Sequence, residues 1–177
     1  YFDNISCRLA DVDRSVKAKG LQAFGSLTKA AVASGAALMG YSGFSAANYL
    51  EQPYNSDLDF GTGDFCVMGW YKTSSLAADQ RLFDRAVAAY SGGYLVAYLT
   101  NTTGVLSAQT SAGAGTITAA SASGMAANVW SLVSIIRRSG VLEVWINTTS
   151  GTGVANTHNI TNTSAVLHFG SKLSDGV

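Results

Sequence analysis

Gly61-Thr62-Gly63-Asp64-Phe65-Cys66-Val67-Met68-Gly69-Trp70-Tyr71-Lys72-Thr73 is the stretch whose pattern decides the fold. It opens on a Gly/Asp turn, carries aromatic and branched side chains on both faces, and stops at the polar cluster Lys72-Thr73-Ser74-Ser75. That is the pattern of a strand buried in the middle of a sheet. A helix is disfavoured, because Gly69 is internal and Phe65, Val67, Trp70, Tyr71 and Thr73 suit a pleated surface better.

The same grammar recurs on both sides. Upstream, Leu38-Met39-Gly40-Tyr41 and Asn48-Tyr49-Leu50-Glu51-Gln52 read as strands around the turn Ser42-Gly43-Phe44-Ser45, with Pro53 ending the second. Downstream, Arg81-Leu82-Phe83-Asp84-Arg85, Tyr94-Leu95-Val96-Ala97-Tyr98-Leu99, Val105 to Thr110 and Thr116 to Ala120 are each set off by Gly- or Asn-containing turns. A strand about every ten residues with a turn at each end marks an all-β sandwich or barrel. Trp130 to Arg138 and Val141 to Asn147 form a second pair, joined by a tight Ser139-Gly140 hairpin, and Val166 to Gly170 closes a final strand.

Composition narrows the function. The 177 residues suit one domain. Only 12% are charged and the formal net charge is zero, so neither a nucleic-acid footprint nor a polybasic membrane patch is present. No apolar run approaches the roughly 20 residues of a membrane span. A neutral, hydroxyl-rich surface fits packing into an assembly or binding uncharged sugars. Much of the charge falls before Gly20, where a short helix over residues 7–19 and an extended arm are equally open readings. We therefore divide the chain into an N-terminal arm and linker, 1–37, with short strands in its latter part, and a domain, 38–177. Cys7 and Cys66 pair only if the arm folds back on the strand that holds Cys66.

The serial order of these elements resembles the laminin-G-like, concanavalin A-type jelly roll. The resemblance runs through Asp57-Leu58-Asp59-Phe60, Asp64 to Thr73, Gln80 to Asp84, Gly93-Tyr94-Leu95, Trp130 to Arg137, Leu142 to Asn147 and Leu167-His168-Phe169-Gly170. It departs at Ser131-Leu132, where the family usually has a His, and at Asn147-Thr148, where it usually has Asp-Gly. The fold implied is a two-sheet antiparallel β-sandwich. The family normally adds one more strand after a turn like Asp175-Gly176, so the expectation is a domain without its last strand in this chain, or with that strand supplied by a partner.

Catalysis is not expected. Glycosidases of this fold resemble one another in paired acidic residues on one strand, and Glu51 and Glu143, the only glutamates, have no carboxylate two or four positions away. His158 and His168 lack a nucleophile turn beside them. For a metal, the resemblance implies calcium held by loop aspartates, for which Asp57, Asp59, Asp64 and Asp84 are the candidates; Asx turns account for Asp59 and Asp64 as well. Sugar binding would use Tyr90, Tyr94, Tyr98 and Trp145 as platforms, with Asn101 or Asn147 beside them. Domains resembling this one occur in bacteriophage tail, fibre and head-decoration proteins. The resemblance thus implies an oligomeric virion module that contacts other subunits and binds host carbohydrate, with a lectin-like module of a secreted or cell-surface protein as the alternative.

Overall fold

The computed structural model describes residues 20–87, 90–101, 103–113 and 117–171. The N-terminal arm up to Lys19, with Cys7 and its pairing to Cys66, and the turn at Asp175-Gly176 lie outside them. Seven strands build a large sheet in the spatial order β1 (Gln22–Phe24), β4 (Tyr49–Gln52), β14 (Val166–Phe169), β6 (Gln80–Ala86), β7 (Tyr94–Leu99), β8 (Val105–Ser111) and β9 (Ile117–Ser123). A smaller sheet runs β12 (Thr149–Ser150), β11 (Val141–Ile146), β10 (Ser131–Arg138) and β5 (Phe65–Tyr71), with β13 (Val154–Ala155) also on β11. β2 (Thr28–Ala31) and β3 (Met39–Ser42) pair with each other. Every strand pairing is antiparallel, so the all-β sandwich read from the sequence is the fold found.

Period-2 alternation places the core between the sheets. Leu95, Ala97 and Leu99 of β7 and Leu106 and Ala108 of β8 face Val133 and Ile135 of β10 and Leu142, Val144 and Ile146 of β11. All are at most 3% exposed. The Ser139-Gly140 hairpin is as tight as expected, with both residues at positive φ, 49° and 75°, the requirement of a two-residue turn that follows strand twist.

The position of β5 differs from the sequence expectation. Among the described residues it pairs only with β10, at the edge of the small sheet and not in its middle. Its aromatic residues do not all point inward: Cys66, Met68 and Trp70 alternate outward and are exposed, while Phe65 is buried and Val67 and Tyr71 pack against the core. Apolar side chains on both faces therefore mark a strand that, among the described residues, has one neighbour. Gly69 is explained by its neighbour, since a Cβ there would lie 3.1 Å from the Tyr71 ring.

Two buried arginines tie the crossover segment before β14 to the sandwich. Arg137, 1% exposed, donates from Nε to the Gly63 carbonyl at 2.8 Å and from Nη2 to the Gly61 carbonyl at 2.7 Å. Its Nη1 reaches Asn156 Oδ1 at 3.1 Å and the His158 carbonyl at 2.7 Å, and the guanidinium lies 4.9 Å from the Phe65 ring. Arg85 donates to the Ile160 carbonyl at 2.9 Å and pairs with Asp59. Buried donors of this kind satisfy loop carbonyls that have no strand partner.

Candidate functional site

The outer face of the large sheet gathers polar and aromatic side chains into one row. Strand register puts Gln22, Glu51, His168, Asp84, Val96, Gln109 and Ala119 opposite one another across all seven strands. Because β7 alternates, Tyr94, Val96 and Tyr98 point to this face while their neighbours fill the core. Tyr94 and Val96 are buried there with Ala86, and Tyr90 and Tyr98 pack around them. The Tyr90 ring meets Tyr94 edge-on at 5.3 Å, and its hydroxyl donates to Asp84.

A β-bulge brings the cation to the site. Arg81 faces Tyr98 and Phe83 faces Ala97, so Leu82 is the extra residue on β6. Leu82 and Phe83 both enter the core, and the reset turns Arg81 outward where plain alternation from Phe83 would have turned it in. The Arg81 guanidinium then lies 4.8 Å from the centre of the Tyr98 ring. Gln109 Nε2 donates to the Tyr98 hydroxyl at 2.7 Å. These three, with Asp79 and Gln80, line a depression of about 490 Å³. Within the protein, Arg81 Nη1 is buried without a hydrogen-bond partner. Asp79 accepts the Asn101 N–H at 2.7 Å, which fixes the rim next to the depression.

Next along the face, His168 sits between Glu51 and Asp84. Its Nε2 lies 2.8 Å from Glu51 Oε2, its Nδ1 lies 3.2 Å from Ser171 Oγ, and Tyr49 stacks on the ring at 4.4 Å. Burial pushes the Tyr94 hydroxyl above its ordinary pKa, and the nearby Asp84 carboxylate adds to the effect, while Arg81 and Ser111 oppose it.

The structure thus brings Tyr90, Tyr94 and Tyr98 together and separates them from the other two saccharide candidates. Trp145 is half-buried on the outer face of the small sheet, with its Nε1 3.4 Å from Glu143 Oε2. Asn147, at φ 55°, closes the turn after β11: its Oδ1 accepts the Leu132 N–H at 3.0 Å and its own N–H donates to the Leu132 carbonyl at 2.7 Å. The four aspartates are dispersed. Asp57 follows the Asn55 cap of a 3-10 turn at Ser56–Leu58. Asp59 binds Arg85, the Tyr54 hydroxyl at 2.9 Å and the Asn162 N–H at 3.0 Å. Burial alone would raise the Asp59 carboxyl, but the Asn162 and Tyr54 hydrogen bonds and Arg85 hold it below the usual carboxylate range. Asp64 accepts the Ser139 N–H at 2.9 Å, and Asp84 is buried on the large sheet. No group of three or more His, Cys, Asp or Glu placed to hold a metal occurs among the described residues.

Among the described residues, the glutamates do not form a closely spaced retaining pair either. Glu51 and Glu143 stand on the outer faces of opposite sheets. Glu51 and Asp84 flank His168 two strands apart, roughly 9–10 Å at ordinary strand spacing, which is too far for a retaining pair. Asp84 is moreover fully buried.

The fold is that of a jelly-roll sandwich, and the chain belongs to the concanavalin A-like lectin/glucanases superfamily, whose laminin G-type family model matches residues 44–176. Among solved structures it is similar to mouse laminin alpha1 chain, domains LG4-5, with 13% identity and a TM-score of 0.54 over 76% of this chain and 36% of that one. The chain therefore spans about a third of that protein's length, and at this identity the likeness is one of fold. A search of curated proteins returns no match. No helix among the described residues is long and apolar enough to cross a membrane.

Proposed function

We propose that this chain is a non-catalytic adhesive module that takes a saccharide in the depression beside Tyr98. The observation that carries the proposal is the bulge-directed convergence of Arg81, Tyr98 and Gln109, with Asp79 and Gln80, around one open cavity of about 490 Å³. Saccharides are bound by a few fixed polar groups beside an aromatic surface, and this depression supplies an amide, a phenol, a carboxylate and a guanidinium. Membership of a superfamily of lectins and glucanases, with no closely spaced carboxylate pair among the described residues, supports binding over hydrolysis. We further place the module in an oligomeric extracellular particle such as a bacteriophage virion, for which 12% charged residues and zero net charge are suited; attachment to a secreted or cell-surface protein is the alternative setting.

The test is a glycan array read with and without calcium, followed by calorimetry on the best hit. Tyr98→Ala and Arg81→Ala should each weaken binding about tenfold or more, equivalent to about 1.4 kcal/mol. Trp145→Ala should leave it within about twofold. Binding lost with Trp145→Ala and kept with Tyr98→Ala would move the site to the small sheet. Strict calcium dependence would direct attention back to the loop aspartates. Light scattering on the same preparation reads the oligomeric state.

A further inference from the structure

The groups that line the depression on the large sheet are not equally free to meet a ligand. Gln80 is committed: its Oε1 accepts the Thr73 hydroxyl at 2.6 Å and its Nε2 donates to the Ser75 carbonyl at 2.5 Å. Asp79, exposed at the rim, spends part of its accepting capacity on the Asn101 N–H. Tyr98 accepts from Gln109 Nε2, which leaves its own hydroxyl proton for another acceptor. Arg81 is the one cation lining the depression, and it forms no ion pair among the described residues. Its guanidinium lies against the Tyr98 ring, 4.8 Å from the centre, so the charge is held on the residue that carries the free phenol proton.

A half-buried cation beside a phenol proton makes two donors at one wall of the cavity, and a planar guanidinium suits the two oxygens of a carboxylate. We propose that the depression selects acidic saccharides, with a sugar carboxylate against Arg81 and the Tyr98 hydroxyl and ring hydroxyls towards Asp79. The inference rests on the saccharide reading of the depression and names the class of sugar. A neutral sugar would desolvate the Arg81 charge and give it no counterion, whereas a carboxylate supplies one. The surroundings on the same face agree. By strand register Ser107 and Ser111 of β8 and Ala119 and Ser121 of β9 share it, and none is charged. Asp84, towards β14, is fully buried and accepts from the Tyr90 hydroxyl. Asp79 is therefore the exposed like charge that an acidic sugar would feel, and it limits the affinity.

The test uses the whole chain and matched sugars that differ only in the charge of the acid: galacturonate oligomers and sialyllactose, each with its methyl ester. Calorimetry should show the acid bound about tenfold or more tightly than the ester at low salt, with the advantage shrinking as sodium chloride is raised. Arg81→Gln should bring acid and ester to within about twofold of each other. Tyr98→Phe, which keeps the ring under the guanidinium, should remove part of the advantage. Asp79→Asn, at an exposed position and still able to accept the Asn101 N–H, should strengthen binding of the acid by about two- to threefold and leave the ester unchanged. Equal binding of acid and ester, or an acid preference that survives Arg81→Gln, would overturn the inference and leave the saccharide reading standing. No binding of any acid, ester or neutral sugar would overturn the reading on which it rests, and the inference with it.

Discussion

On the outer face of the large sheet, side chains that alternation turns away from the core are nevertheless buried: Asp84 is 0%, Val96 1% and Tyr94 5% exposed. On the outer face of the small sheet the equivalent alternation leaves Met68 and Trp70 more than half exposed. The difference lies in what surrounds each strand. β6 and β7 have partners on both sides, and Tyr90, Arg81 and Gln109 reach across them to bond or stack on neighbours. Among the described residues β5 has a partner on one side, so its outward side chains have few described neighbours to lean on. A polar, cross-strand network builds a preorganised depression, whereas an apolar edge strand builds a surface that gains by being covered.

The harshest way to break this comparison is to remove the support that both faces share. Arg137 holds the carbonyls of Gly61, Gly63 and His158 together with the Asn156 amide, and so ties the turn before β5 to the crossover segment. Arg137→Met keeps the stem and leaves those acceptors without a donor, at a cost of about 3 kcal/mol in unfolding free energy. Urea denaturation followed by tryptophan fluorescence measures it. A loss under about 1 kcal/mol would mean that water replaces the guanidinium and that the two sheets are supported separately.

A second prediction sharpens the comparison by pH. Burial pushes the Tyr71 hydroxyl, at the inward end of β5, up from 10.0 to about 12. Between those values the unfolded chain releases a proton that the folded chain keeps. Stability is therefore unaffected by this group below about pH 10 and falls as pH rises towards 12, by on the order of 2 kcal/mol. Denaturation midpoints at pH 8 and pH 11 should separate in the wild type and draw together in Tyr71→Phe. If Tyr71→Phe keeps the full alkaline loss, the raised Tyr94 on the large sheet becomes the responsible group, and the outer face would be the more tightly packed of the two.

How much of this was legible in the sequence depends on whether the signal was local. β7 was readable to the residue from Tyr94-Leu95-Val96-Ala97-Tyr98-Leu99, because turns bound it and every side chain contributes to one of two packed faces. That Tyr94 and Tyr98 share a face follows from period 2 along β7, whereas Tyr90 lies outside that strand and its edge-on approach to Tyr94 has no such signal. Trp145 and Asn147 come out apart from the tyrosines because sequence adjacency to the core hairpin does not tell which sheet a residue joins. Gln109 had a usable signal, the polar alternation of Ser107, Gln109 and Ser111 on β8. Arg81 had none: its direction is set by the bulge at Leu82, which is a property of the β6–β7 pairing and not of either strand alone. The middle-of-sheet expectation for β5 differs from its edge position among the described residues, since apolar residues on both faces do not tell how many neighbours a strand has.

The smallest expected effect is also the most discriminating. Trp70 is 58% exposed and opposite Leu132, so more than half of its surface stays in water in the folded chain. Trp70→Ser should therefore change stability by no more than about 0.5 kcal/mol, while lowering the fluorescence of the apolar dye ANS when it is added to the folded chain. Saccharide affinity should stay where it was, because the depression at Tyr98 lies on the other sheet. A destabilisation well above about 1 kcal/mol would show Trp70 already packed in solution, and the outer face of β5 would then be as well covered as that of the large sheet. Unchanged dye fluorescence with unchanged stability would place the accessible apolar surface elsewhere, with Leu38, 63% exposed, the next residue to replace.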